Sequence, residues 1–379
     1  MSPVPARDRL SEYRARADVV RSRVILSSVV GHVVALRRAG NEWSGLCPFH
    51  SDTRAGSFMV NDSKAIYKCF ACGASGDHFG FLEAQQGFSF IQALEALERD
   101  NGLGALNFSN PAVVREMEAA RAARDAAAAA DSERRSKRGQ ALWFGAVGIE
   151  RSPAEYYLRG RGLWVGADEH GELGLDRWPS SLRYRPDVWC RESRDASGLD
   201  KLPAMVAGIW HLSGKMLGAH RTYLNIDGWD HSQKSGIVTK ARLNDAKMTI
   251  GPTLGGYIPI NKGTHSHTLR DIPEGTDIYL SEGIEDGLSV ACGAPHLRII
   301  AGVSLSKLAS VQLPPQMGAL VFIMQRDNDG SAAAGAVERA IASHQKQRRT
   351  VKMLWPPDGY KDWNDYLMGK TMGRADHGG

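Results

Sequence analysis

Cysteine is scarce in this chain, with five residues in 379. That is too few for a disulfide scaffold. Long hydrophobic runs are also missing. The most apolar stretch, Val24–Leu36, has 13 residues, short of the roughly 20 that a bilayer-spanning helix needs. It runs straight into Arg37-Arg38 without a small-residue cleavage site, which argues against a signal peptide and for a buried helix or strand. No internal repeat is present. Excess charge is lacking too: the net value is only +5. Its distribution says more. Residues 141–270 carry 17 Lys/Arg against 13 Asp/Glu, whereas residues 271–369 carry 9 against 12. A basic middle beside an acidic end suits a protein that grips phosphates in one place and holds cations in another.

What is present is an ordinary globular composition, 42% hydrophobic and 23% charged, in a chain long enough for two or three domains. Residues 1–104 read as one unit. They end in a helix announced by Ser89 and Gln92, a capping box, with Phe90, Ala93, Leu94 and Leu97 on one face. Residues 105–140 are rich in Ala, Arg and Glu without an apolar stripe, which predicts an exposed helical linker. A second domain starts near Ala141, where Ser152, Pro153 and Glu155 mark a helix start. Residues 180–262 alternate as strands and turns, with a hairpin through Ser213-Gly214. From Asp277 the pattern becomes β/α: strands at 277–281, 297–301, 319–325 and 350–355 with helices between them. Residues 370–379 read as a flexible tail. The expected class is α/β within an α+β whole: a zinc-ribbon-like module, a linker, a basic α+β subdomain and a Rossmann-like parallel sheet with flanking helices.

Three of the five cysteines cluster. Cys47-Pro-Phe-His50 is followed, 18 residues later, by Cys69-Phe-Ala-Cys72. Two ligand pairs with two-residue spacers are what a tetrahedral zinc site requires, each knuckle giving two ligands from one turn. Four protein ligands make that Zn2+ structural. Gly73 lets the chain turn sharply after the last ligand. Such a thiol set also points to a reducing, cytoplasmic setting.

A second constellation is acidic. Glu282-Gly283 ends one predicted strand, and Asp327-Asn328-Asp329-Gly330 ends another. Asp362 and Asp365 follow a third. In an open α/β sheet the carboxyl ends of the strands gather at one edge, so these acids converge. Clustered carboxylates with hard oxygen ligands suit Mg2+ or Mn2+ shared with phosphates. Glu285 and Asp286 read as first-turn helix charges outside the site.

The segments Gly45–His50, Ser57-Phe58 and Tyr67–Asp77 closely resemble the zinc-binding domain of bacterial and phage DNA primases, over about residues 24–98. Ala55-Gly56 stands where that family usually has Thr-Pro. Glu282-Gly283 with Asp327-x-Asp329 resembles the TOPRIM domain over residues 277–369. Tyr156–Gly162 and His220–Leu224 resemble the region before TOPRIM in phage and plasmid primase-like proteins. These resemblances imply a DNA primase that makes short RNA primers on single-stranded DNA from nucleoside triphosphates, with a replicative helicase supplied in trans and no membrane partner. They imply Glu282, Asp327 and Asp329 as catalytic, metal-linked acids, and Asp362 as a further ligand. They imply that the zinc module touches template, with Phe58, Tyr67 and Phe70 offered to bases and Lys68 and Arg54 to phosphates.

Primer synthesis also needs cations for the triphosphate and template. The candidates are Arg159, Arg161, Arg221, Lys240 and Arg242, with Arg159-Gly-Arg161-Gly the most suggestive. Gly208…Gly214-Lys215 is not a phosphate-binding loop: its spacing is one residue too long and Met216 replaces Ser/Thr. Two other readings stay open. One is a TOPRIM nuclease, whose acids look alike. The other is a non-catalytic zinc/TOPRIM accessory protein that binds DNA in recombination or replication. A topoisomerase is disfavoured because it needs a large domain bearing a nucleophilic tyrosine.

Overall fold

A computed structural model of the chain describes residues 6–52, 56–103, 111–166, 174–190, 201–243, 245–326 and 332–371. It divides into two units, Met1–Asp131 and Ser132–Gly379.

The first unit opens with α1 (Ala6–Arg23) and α2 (Leu26–Gly31). Leu26, Val29 and Val30 of α2 are buried, the fate expected for the apolar stretch. A five-stranded antiparallel meander follows: β1 (Arg37–Ala39), β2 (Glu42–Gly45), β3 (Phe58–Asn61), β4 (Ile66–Cys69) and β5 (Ser75–Gly76). Period-two alternation puts Phe58, Val60, Tyr67 and Cys69 on the inner face. That face closes a core with α2, α3 (His78–Gln86) and α4 (Phe90–Asp100). Asp77 caps α3 by accepting from the Phe79 and Gly80 N–H groups. Ser89 and Gln92 form the capping box read from sequence. Arg16 pairs with buried Glu98, Nε to Oε1 at 2.9 Å, tying α1 to α4.

The helix α5 (Pro111–Phe144) runs through the boundary between the units. Its last turns are not a free spacer. Ser136 is buried, and Gln140 donates to the Met216 carbonyl at 2.8 Å. Trp143 donates to the Ser181 carbonyl at 2.8 Å.

The second unit begins with β6 (Val147–Gly148) and α6 (Pro153–Arg159), which Ser152 caps at the Ala154 N–H. Then come β7 (Leu182–Trp189), β8 (Lys201–Trp210), β9 (Met216–Asp230), β10 (Ser235–Lys240) and β11 (Lys247–Ile250). They form an antiparallel sheet ordered β10-β9-β8-β7-β6, with β11 also paired to β9. Gly214 turns the β8–β9 hairpin at φ 84°, so the glycines near Lys215 belong to a hairpin and not to a phosphate loop.

The last part holds β12 (Ile258–Asn261), β13 (Ile278–Ser281), α7 (Ile284–Gly293), β14 (Arg298–Ala301), α8 (Leu305–Leu308), β15 (Leu320–Ile323), α9 (Ala332–Lys346), β16 (Val351–Leu354) and α10 (Trp363–Leu367). Its sheet runs β12-β14-β13-β15-β16. The pairs among β13, β14, β15 and β16 are parallel, whereas β12 is antiparallel to β14. Strand β12 thus joins the C-terminal sheet although the sequence reading put it in the basic subdomain. One core explains this. Leu158, Leu163 and Leu224 pack in the same cluster as Ile258, Leu288 and Ile299. The two halves of this unit therefore share one core. Among the described residues no helix is long and apolar enough to cross a membrane.

Candidate metal centres and active site

The meander assembles the zinc ligands. Phe58 pairs with Gly45 on one side and with Cys69 on the other. Hence the turn after β2, with Cys47 and His50, meets the turn after β4, with Cys69 and Cys72. Their four ligand atoms lie within 4.8 Å of one another. Cys47 Sγ is 3.8 Å from Cys72 Sγ, and Cys69 Sγ is 4.0 Å from His50 Nδ1. A tetrahedral zinc with bonds of ~2.3 Å to sulfur spans about 3.8 Å between ligands, so these residues fit that ion. Burial, and then the neighbouring thiols against an opposing N–H from Phe49, push Cys47 up to about 12; a coordinated cation reverses this by binding the thiolate. Gly73 takes φ 79° after the last ligand. Asp52 braces the first knuckle, accepting from the Cys47 N–H at 3.1 Å and the Ser57 hydroxyl at 2.5 Å.

Two aromatic candidates for base stacking are corrected. Phe58 and Tyr67 are 0% and 2% exposed. They pack with Phe49 and Phe81 inside the core, where no base can reach them. Phe70 is 67% exposed, with Lys68 Nζ 5.0 Å from its ring centroid. Arg54 lies outside the described residues.

Glu282 stands directly after β13, at the carboxyl edge of the parallel strands. It is half-buried and lines a cavity of about 240 Å³ with Phe322, Met324 and Trp355. Asp327 and Asp329 lie outside the described residues. Asp362 caps α10, its Oδ1 accepting the Asp365 N–H at 2.7 Å. Burial and the nearby Asp362 raise the Asp365 carboxyl. Among the described residues the zinc set is the one group of three or more candidate ligands close enough to share an ion.

The two acids read from sequence as exposed first-turn helix charges are buried. Glu285 and Asp286 are 4% and 7% exposed, because the first turn of α7 is covered by α6, β11 and α10. Asp286 is pushed up to about 7 by burial, then by Asp362 and Glu285. Gln325 donates to its Oδ2 at 2.7 Å. Its Oδ1 has no hydrogen-bond partner among the described residues. Glu285 behaves oppositely. Burial would raise it, but Lys247 at 3.0 Å and the Tyr157 hydroxyl at 2.7 Å hold it down at about 2. Asp286 follows Glu282 by four residues, but Glu282 precedes α7 and lines the Phe322 cavity, whereas Asp286 faces Gln325 and Asp362.

The basic candidates separate. Arg161 is largely buried; burial works against its charge, while Tyr157, Glu285 and Asp362 favour it. Lys240 lies in the same field, its ammonium lowered by burial and by Lys247 and Arg161. Lys247, which the sequence reading did not name, joins them. Arg159 instead pairs with Glu155 at 2.7 Å and lies over Tyr156 and Trp164. Arg221 is engaged with the Tyr223 hydroxyl and the Trp189 and Thr249 carbonyls. Among the described residues, neither these two nor Arg242 shows a contact with Glu282, Asp286 or Asp362.

Against known families, residues 13–109 match the CHC2 zinc finger and residues 277–372 the Toprim domain. The chain joins a CHC2 zinc finger to a Toprim domain. Both support the bacterial and phage DNA primase type. Between them, residues 133–260 match a domain of unknown function, DUF7146. The DNA primase of Halalkalibacterium halodurans is 42% identical over 80 residues, which is 21% of this chain and 13% of that one. The DNA primase of Mycobacterium leprae is 32% identical over 171 residues, 44% of this chain and 25% of that one. The chain therefore matches only a minor share of those proteins. Among solved structures, the Aquifex aeolicus primase fragment with zinc-binding and RNA polymerase domains aligns over 93% of this chain and 82% of its own, at 16% identity and a TM-score of 0.34.

Proposed function

We propose that the chain is a DNA primase, synthesising short RNA primers on single-stranded DNA by metal-dependent nucleotidyl transfer. The observation that supports this reading most is the meeting of opposite charges at one junction. Arg161, Lys240 and Lys247 come from the middle half of the second unit, and Asp286 and Asp362 from the Toprim half.

On this reading Glu282, Asp327 and Asp329, with Asp362 as a further ligand, hold Mg2+ or Mn2+, and Asp286 lies beside Asp362. Asp286 fits a cation nearby: a buried carboxylate with one orphaned oxygen and a neighbouring acid is relieved by a hard cation. A divalent ion held by these carboxylates would supply polarisation of the phosphoryl oxygens and stabilisation of the attacking 3′-hydroxyl and the departing pyrophosphate. The protein's own cations orient the triphosphate. Arg161 is set to grip it, with Lys240 and Lys247 beside it. Glu285, tied to Lys247 and Tyr157, keeps Lys247 at the site before nucleotide arrives. The CHC2 finger presents Lys68 and Phe70 to template. A replicative helicase is the partner this activity calls for.

The test is de novo synthesis on single-stranded DNA with labelled ribonucleotides and Mg2+ or Mn2+. Short labelled products that disappear in Glu282→Gln support the reading. Template degradation without synthesis replaces it with a nuclease, and DNA binding without either replaces it with an accessory protein.

A further inference from the structure

Asn364 is 3% exposed and sits in the first turn of α10, two residues after Asp362. Its amide donates to the Arg161 carbonyl at 2.7 Å and to Ser289 Oγ at 3.1 Å. The carbonyl can only accept, so the amide orientation follows from its partner. Ser289, on α7, itself donates to the Glu285 carbonyl at 2.9 Å, which leaves its oxygen free to accept. The main-chain N–H of Asn364 faces Asp286 and opposes the rise of that carboxyl.

One buried side chain on α10 thus bonds two other segments, the turn after α6 and the helix α7. The three segments carry Arg161, Glu285 and Asp286, and the N-cap Asp362. The turn with Arg161 is fastened at a second point. Gly162 adopts φ 70°, and a Cβ there would come within 3.2 Å of Met368 Cγ. The far end of α10 therefore packs on the same turn that Asn364 holds from the near end.

We infer that Asn364 is a positioning residue, which sets the Arg161 guanidinium beside the Tyr157 hydroxyl and the Glu285 and Asp362 carboxylates by bonding the Arg161 main chain. The geometry rests on the primase reading only in assigning the triphosphate to Arg161. A guanidinium at the end of a long side chain amplifies any shift of its backbone, and a misplacement near 1 Å costs about 100-fold in a well-aligned site. Among the described residues, no other side chain of α10 is seen bonded to the opposite half.

The effect is read in nucleotide handling. Asn364→Ala should raise the KM for nucleoside triphosphate by about 10- to 100-fold and leave kcat within a few-fold, since Arg161 binds ground-state phosphate. Asn364→Ser keeps a shorter donor and should fall between. The deciding measurement is a cycle with Arg161→Ala. If Asn364 acts through Arg161, adding Asn364→Ala to Arg161→Ala raises KM no further. Thermal melting of each variant identifies any that fails to fold; if Asn364→Ala does, Asn364→Ser carries the cycle. Wild-type protein that makes no primers overturns the primase reading itself. Primer synthesis with unchanged KM in both Asn364 variants, or KM effects that multiply in the cycle, overturns this inference alone.

Discussion

The Tyr157 hydroxyl donates to the Glu285 carboxylate at 2.7 Å across 128 positions of sequence. That bond joins α6 of the middle half to α7 of the Toprim half, and Lys247 completes it from β11 at 3.0 Å. A hydrogen bond to a buried charge contributes about 1.5–3 kcal/mol. Tyr157→Phe should therefore lower the stability of residues 132–379 by about 2 kcal/mol in denaturant titration. Lys247→Met added to it leaves Glu285 buried without either partner. The pair of changes should cost about 3–5 kcal/mol, as an uncompensated buried charge does. Additional loss near zero for the second change would show that Glu285 simply protonates.

Freshly purified protein should contain one zinc per chain. A strong chelator, or Cys72→Ser, should unfold the first unit, whose meander depends on the two knuckles being joined. The melting transition of the second unit should not move, because its core clusters contain none of the residues around the zinc ligands. A protein purified without zinc and melting normally would refute the assignment of Cys47, His50, Cys69 and Cys72.

Glu282→Gln, Asp286→Asn, Asp327→Asn and Asp329→Asn should each reduce primer synthesis by about 100-fold or more. Thermal melting should show all four folded. Asp286→Asn is the most informative, since it removes a carboxylate that burial and Asp362 already disfavour. That variant should melt no lower than wild type in metal-free buffer while losing activity.

The zinc set, the capped starts of α4 and α6 and the four parallel strands were legible because each depends on residues a few positions apart. Spacing within one turn, a cap three residues from its partner and alternation along a strand all survive in a one-dimensional reading. Asp286, Lys247 and Asn364 were not legible. Each is an ordinary polar residue at a helix start or a strand start, where solvent exposure is the usual outcome. Their importance comes from the shared core of Leu158, Leu224 and Leu288, which presses α6, β11 and α10 onto α7. That packing is long-range, and no local pattern announces it. For the same reason Phe58 and Tyr67 read as candidate base contacts, although the meander turns both inward.

His220 gives a pH dependence whose sign is fixed. It is buried on β9, and burial, followed by Lys247, holds its imidazole down at about 4 although Glu285 pulls the other way. Arg221 beside it acts in the same direction as Lys247. The unfolded chain protonates this histidine near 6.5, so between pH 6.5 and 4 the unfolded state binds the extra proton. The stability that neutral His220 contributes is complete above pH 6.5 and is lost as pH falls toward 4. Asp286, raised to about 7, has the opposite dependence, so the wild-type curve alone mixes the two. The difference between His220→Gln and wild type isolates the histidine. It should move in favour of the variant by up to about 3 kcal/mol from pH 6.5 to pH 4. A difference independent of pH would mean that His220 titrates normally.

On the proposed primase reading, the two units should divide the work of starting a primer. A fragment of residues 132–379 keeps the whole second unit. It retains the bonds of Gln140 and Trp143 to the sheet, which a cut at 141 would partly lose. This fragment should fold, keep the Toprim acids and extend an annealed primer weakly. It should start new chains poorly, because initiation has no duplex to hold the first nucleotides and needs a second grip on the template. That grip is assigned to the CHC2 finger, through Lys68 and Phe70. Adding residues 1–131 as a separate chain should restore little at low concentration and more at high concentration, since the covalent link supplies a high effective concentration. Binding of the full chain to single strands should weaken steeply with salt, and Lys68→Ala should flatten that slope by about one ion. If the fragment initiates as well as the full chain at equal concentration, the finger does not select template. Its exposed Phe70 and Lys68 would then serve a protein partner, and the salt slope of DNA binding would belong to the second unit alone.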